Sequence, residues 1–226
     1  MKLYIGNKNY SSWSMRSGVL LAAFGIPFEE VKLRFDFSPD SPWTRAIAAI
    51  TPTKRVPVLV EDDGFTVWDT LAITEYIADR HPELPIWPRD ARARARARSL
   101  CAEMHAGFSR LRSLCPMNIE AFFPDVGAQL WAEDEALRAD VARLEQAWGD
   151  ALQASGGPFL FGAFSAADAY FAPVAVRLSR FGLPVSDAAA AYRDALLAHP
   201  AVEDWVAESL REQDFIVEDE PYRQQR

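Results

Sequence analysis

The first third of the chain is built from short apolar runs punctuated by turn residues. Lys2–Ile5 alternates weakly and predicts a strand, and Arg16–Phe24 is an apolar helical run stopped by Gly25 and Pro27. Phe28–Leu33 predicts a second strand. Pro57–Glu61 and Phe65–Trp68 flank Asp62-Asp63-Gly64, and Asp-Gly between apolar runs signals a hairpin. Asp69–Arg80 follows with Leu71, Ile73, Tyr76 and Ile77 near helical spacing. The predicted order is β-α-β, an irregular stretch, then β-β-α.

Beyond residue 84 the texture changes to long alanine-rich helical stretches. Pro82–Pro88 carries three prolines between the two textures, and proline stops helices. The predicted organisation is a first domain over residues 1–84, a linker and helix start over 85–94, and an all-helical domain with an acidic tail over 95–226. Asp90–Leu114 predicts one long helix, and Asp134–Ala154 another that ends at Ser155-Gly156-Gly157-Pro158. Ser165 and Asp168 stand as a capping box before an apolar run that contains Pro173, and both are assigned to folding. Pro200 suits the first turn of a last helix. Phe215 and Ile216, in the acidic stretch Glu212–Glu220, are placed to pack back on the body.

Composition narrows the function classes. The 226 residues are 50% hydrophobic and 25% charged, as a globular chain requires. Cys101 and Cys115 make no disulfide framework or zinc spacing, and the three histidines are scattered, so no metal site is expected. A net charge of −8 argues against nucleic acid, and the Ala-Arg repeat over residues 91–98 is read as a solvated or interface helix face. Gly18–Ile26, the longest apolar run, is too short to span a membrane, and Met1–Trp13 has no signal pattern, which predicts a cytoplasmic protein. All four lysines fall within the first 54 residues.

Three elements of the first domain can carry chemistry. Tyr10-Ser11-Ser12-Trp13-Ser14-Met15-Arg16 puts three serines where a helix begins, either as caps or as hydroxyls poised to stabilise a thiolate. Val56-Pro57 puts a proline directly before a strand; local sequence favours the trans form, and a cis bond is the alternative. Asp69-Thr70 heads a helix as a cap or as part of an anion site.

In this order and spacing, Ser11-Ser12-Trp13-Ser14-Met15-Arg16, Val56-Pro57 and Asp69-Thr70 resemble the cytosolic glutathione transferase superfamily, of the bacterial serine type and nearest to zeta- and tau-like classes. The resemblance covers essentially the whole chain. It implies a thioredoxin-like N-terminal domain followed by an all-helical C-terminal domain, with glutathione as cosubstrate, no metal, and a homodimer. Aligned on Arg16, Ser11 takes the catalytic serine's position, Ser12 is the second choice, and Ser14 is assigned to capping. The resemblance further implies backbone pairing of the tripeptide with Val56 before a cis Pro57, the γ-glutamyl amine on Asp69, and its carboxylate on Thr70. Lys54, ahead of Arg55, matches the residue for the glycyl carboxylate.

A serine hydroxyl suits thiol activation because it donates without ionising itself. A free thiol has a pKa of about 8.5, and a donor to the charged form beside a helix N-terminus lowers it. The electrophile wall is expected from Met104, Phe108, Leu111, Arg112, Cys115, Met117 and Asn118. Arg180 resembles an arginine that zeta-class enzymes use for a dicarboxylic substrate, which makes a maleylacetoacetate-type isomerase the runner-up. A non-catalytic binding protein on the same scaffold is the third reading.

Overall fold

A computed structural model describes all 226 residues. Its sheet has the order β2-β1-β3-β4, with β1 (Lys2–Ile5), β2 (Glu29–Lys32), β3 (Val58–Val60) and β4 (Thr66–Trp68). β1 runs parallel to β2 and antiparallel to β3, and β3 is antiparallel to β4. The parallel pair needs a crossover, supplied by α1 (Ser12–Ala23), while the antiparallel pair is joined by the tight Asp62-Asp63-Gly64 turn. Gly64 sits at φ 89°, a region open to glycine. Leu3 and Ile5 of β1 and Val58 and Leu59 of β3 are fully buried. With α3 (Thr70–Arg80) this is a thioredoxin-like unit.

The remaining chain is helical: α4 (Ala91–Ala106), α5 (Ser109–Leu114), α6 (Pro124–Glu133), α7 (Glu135–Ser155), α8 (Ala166–Arg180), α9 (Asp187–Leu197) and α10 (Pro200–Glu212). The long helix expected over Asp90–Leu114 is broken. Phe108 adopts φ 54°, and a side chain on Gly107 would meet the Glu103 carbonyl oxygen at 2.8 Å. The irregular stretch of the first unit contains a further helix, α2 (Pro42–Ile50), capped by Ser41 with Pro42 in its first turn.

One hydrophobic core joins the two parts, because α1 packs on both α8 and α10. Gly18 of α1 permits this closeness, since a Cβ there would lie 2.3 Å from the Trp205 ring. α8 is buried from Ala166 to Leu178 and continues through Pro173. Its start is the expected capping box. Asp168 accepts from the Ser165 amide at 2.9 Å and hydroxyl at 3.0 Å, and also from the Leu160 amide and the Tyr192 hydroxyl.

The acidic tail folds back, as expected from Phe215 and Ile216: Ile216 is buried against Tyr10 and Phe35. Its carboxylates meet Lys32 and Arg34 of the first unit. Lys32 pairs with Glu212 and Asp214, and Lys8 with Glu30 and Glu208. Lys2 pairs with Glu29, which leaves Lys54 as the lysine without an ion pair.

Candidate active site

A cleft opens between the sheet unit and the helices, in two lobes of about 520 and 330 Å³. Both fall in the size range of small-molecule sites. Trp13, Arg55, Val56 and Arg112 border both lobes. The larger lobe adds Pro57, Asp69, Thr70 and His105; the smaller adds Ser11, Ser12, Lys54, Arg177 and Asp219.

The Val56-Pro57 bond is cis, against the local expectation of trans. The ring stands at the entrance of β3, has no N–H to contribute to the ladder, and borders the larger lobe together with Val56. Asp69 caps α3 from a backbone at φ 74°, uncommon for a non-glycine residue. One carboxylate oxygen accepts from the Leu71 amide at 2.8 Å; the other lies 3.3 Å from His105 Nε2 of α4. Thr70 is the first helical residue, and its buried hydroxyl accepts a 2.9 Å bond from Tyr170 of α8. That bond leaves the threonine proton free for an anion at the helix start.

The serine loop divides its labour differently from expectation. Ser11, not Ser14, is the N-cap of α1: its oxygen accepts from the Ser14 amide at 3.3 Å, while its hydroxyl donates to Ser14 Oγ at 2.7 Å. Ser14 Oγ also accepts from the Gly6 amide and so ties the loop to β1. Ser12 accepts from Arg177 Nη2 at 3.2 Å, which leaves its own proton to be donated. Arg177 is held by the carbonyl oxygens of Arg112 and Cys115.

Three guanidiniums crowd this region without a carboxylate partner. Arg16 stacks 4.2 Å from the Trp13 ring, and Arg112 lies 5.0 Å from the same ring. Arg16 Nε and Nη1 are buried with no hydrogen-bond partner. Burial lowers Arg16 to about 10 and, with help from Arg112 and Arg16, lowers Arg177 to about 9; burial also lowers Arg112. The cleft wall thus carries Lys54, Arg55, Arg112 and Arg177 against Asp69 and Asp219, with Arg16 buried behind Trp13, and this cationic excess favours an anion or a thiolate.

The expected electrophile wall is only partly realised. Arg112 and Met117 border the smaller lobe, but Met104, Phe108, Leu111, Cys115 and Asn118 border neither. Met104, Leu111 and Cys115 are core residues, Phe108 is buried at the α4–α5 break, and Asn118 bonds to Asn9 and Glu220. Burial pushes the Cys115 thiol up to about 12. Arg180 is half-buried at the end of α8 and borders neither lobe; Arg177, one turn earlier, is the α8 arginine that does. Trp13, His105, Arg177 and Asp219 were not among the expected site residues. Tyr170 and Arg177 stand seven apart, one face of a helix, and that spacing was the available signal.

Comparison with known proteins bears on the fold that carries this cleft. The profile of the glutathione S-transferase N-terminal domain matches residues 10–80. The maleylacetoacetate isomerase of Pseudomonas aeruginosa is 27% identical over 220 residues, covering 89% of this chain and 96% of the relative. A Burkholderia glutathione transferase homologue solved with bound glutathione superposes with a TM-score of 0.69 at 26% identity, over 94% of this chain and 98% of that one. The Methylobacterium extorquens maleylacetoacetate isomerase, solved with malonate and glutathione, gives a TM-score of 0.65 at 27% identity, over 95% and 98%. With the serine loop, the Val56-Pro57 strand entrance and the Asp69-Thr70 helix start gathered on one cleft, residues 10–80 match the glutathione S-transferase N-terminal domain and the whole chain has the glutathione transferase fold.

Proposed function

We propose that the cleft binds glutathione and holds its thiol as a thiolate for attack on a small electrophile. The γ-glutamyl amine meets the Asp69 carboxylate, and its carboxylate meets the Thr70 hydroxyl and the first amides of α3. The cysteinyl backbone pairs with Val56, in the manner of an added strand. Lys54, which makes no ion pair of its own, takes the glycyl carboxylate. The sulfur then lies at the mouth of the smaller lobe beside the serine loop.

One observation carries the reading: Arg177 donates to Ser12 and leaves the Ser12 proton free, while the Ser11 proton goes to Ser14. Ser12 is therefore the assigned thiolate donor, and Ser11 holds the loop in place. The guanidiniums around Trp13 add a positive field that favours the charged sulfur. The electrophile occupies the smaller lobe, against Trp43 and Met117. The protein works as a homodimer in the cytoplasm. Calorimetric titration with glutathione, followed by conjugation assays over a panel of electrophiles, tests this directly. Binding without turnover across the panel would instead favour a non-catalytic binding protein.

A second reading is a maleylacetoacetate-type isomerase, favoured by the relatives of that name. There the thiolate adds to a double bond, the new single bond rotates, and the thiolate leaves. In that reading a substrate carboxylate meets Arg112, which faces the cleft, rather than Arg180. Arg112→Ala then damages turnover of a dicarboxylate and spares a neutral aromatic electrophile; equal losses count against it.

A further inference from the structure

The smaller lobe has in its wall a carboxylate that pairs with nothing. Asp219 ends the 3-10 turn Val217–Asp219 in the tail, is partly buried, and borders the lobe together with Ser11, Ser12 and Arg177. The segment is clamped on both sides of it. The Ile216 amide donates to the Tyr10 hydroxyl at 3.4 Å, and Tyr10 donates to Glu220 at 2.7 Å. Asn118 and Arg223 also donate to Glu220, which is buried. Tyr10 directly precedes Ser11, so the tail and the serine loop are one hydrogen-bonded unit. Tyr10 itself is kept neutral, its ionisation pushed up to about 12 by burial and by Glu220.

We propose that Asp219 is the proton-transfer group of the smaller lobe: it takes the proton of the bound glutathione thiol and returns it to the carbanion formed when the thiolate adds to an activated carbon–carbon double bond. The S–H bond breaks and an S–C bond forms at one alkene carbon. The displaced π pair then takes the Asp219 proton as a new C–H bond at the other. Asp219 finishes as the carboxylate it began as, and nothing else is consumed. The inference rests on reading the cleft as a glutathione site.

The surroundings suit a group that cycles near neutral pH. Burial, then Glu218 and Glu220, push the Asp219 carboxyl up, and Arg177 of α8 pulls it down, leaving it at about 6. Arg112 of α5, Lys54 and Arg55 before β3, and Tyr10 also border the lobe. An acid–base group works best with a pKa close to the operating pH.

The test compares the wild type with Asp219→Asn, Asp219→Glu and Glu218→Gln, using one activated alkene and one aryl halide. Calorimetry first establishes that each variant binds glutathione; a wild type that does not bind it refutes the functional reading itself. The wild-type rate for alkene addition should fall below a pH near 6. Asp219→Asn should replace that limb by the titration of the bound thiol itself and lower alkene addition about 10²-fold. The aryl halide, whose reaction needs no carbanion protonation, should lose at least tenfold less, and Asp219→Glu should restore part of the alkene rate. Glu218→Gln, which removes a neighbouring negative charge, should move the limb to lower pH and keep the plateau. With glutathione binding intact, an unchanged limb in Asp219→Asn, or equal losses on both electrophiles, overturns the proposal.

Discussion

Replacing Ser12 with alanine isolates thiol activation from folding. Ser12 is the first residue of α1, where alanine is a good helix former, and Arg177 keeps its bonds to the Arg112 and Cys115 carbonyls. The stability of the variant should therefore change little. A hydrogen bond to a charged group is worth about 1.5–3 kcal/mol, and one pKa unit corresponds to about 1.4 kcal/mol. Removing the Ser12 donor should thus raise the bound thiol's pKa by about 1 to 2 units. At pH values below the wild-type thiol pKa the thiolate fraction falls about 10- to 100-fold, and turnover falls with it. Ser11→Ala should do the reverse. It removes the α1 cap, which costs about 0.5–2 kcal/mol in stability, and leaves the thiol pKa closer to wild type. The assay follows the ultraviolet absorbance of the thiolate against pH in each glutathione complex, beside urea unfolding of the same proteins. A titration unmoved in Ser12→Ala and displaced in Ser11→Ala would falsify the assignment and return the role to Ser11.

Further outcomes follow from the same contacts. Tyr170→Phe removes the bond that orients the Thr70 hydroxyl, so KM for glutathione should rise about 3- to 10-fold with kcat nearly unchanged; a fall in kcat alone would contradict this. Asp168→Ala leaves four donors without their buried acceptor and should cost at least about 3 kcal/mol in urea unfolding, with a loss below about 1 kcal/mol refuting its structural role. Burial raises both cysteine thiols well above their ordinary value, so iodoacetamide should label neither Cys101 nor Cys115 in the native protein at pH 8, and should label both after denaturation.

Much of the first unit is legible in the sequence because its signals are local. Asp-Gly between two apolar runs gives the hairpin, and Asp69 before Thr70 gives the start of α3. Helix α2 escapes because it is only nine residues long, although Ser41-Pro42 announces its start. The break after α4 escapes because the apolar spacing continues through Gly107-Phe108, and only the left-handed backbone of Phe108 reveals it. The arginine of the site is a question of position along α8. Arg180 is the last residue of the helix, one turn beyond Arg177, and borders neither lobe, while Tyr170 and Arg177 share a face that reaches Thr70 and Ser12. The role of the tail is the least legible. Glu220 meets Tyr10 across the whole length of the chain, and no local pattern encodes so distant a contact.

The clustering of the lysines in the first 54 residues has a structural counterpart in the same region. The acidic tail pairs with basic residues after β1: Lys32 takes Glu212 and Asp214, and Arg34 also takes Asp214. Exposed pairs of this kind add little stability individually. Around the buried Asn7–Tyr10 loop, which Asp214 and Glu220 also bond, they fix how the tail lies against the serines. These carboxylates of the tail are therefore engaged in internal contacts, while the cleft wall gains positive charge through Arg55, Arg112 and Arg177.

A crystal structure with glutathione bound tests the central claim most directly. The predicted result has the γ-glutamyl group on Asp69 and Thr70, the cysteinyl backbone paired with Val56, and the sulfur within hydrogen-bond distance of Ser12 Oγ. Glutathione seated outside the cleft, or a sulfur that contacts Ser11 and not Ser12, would contradict it.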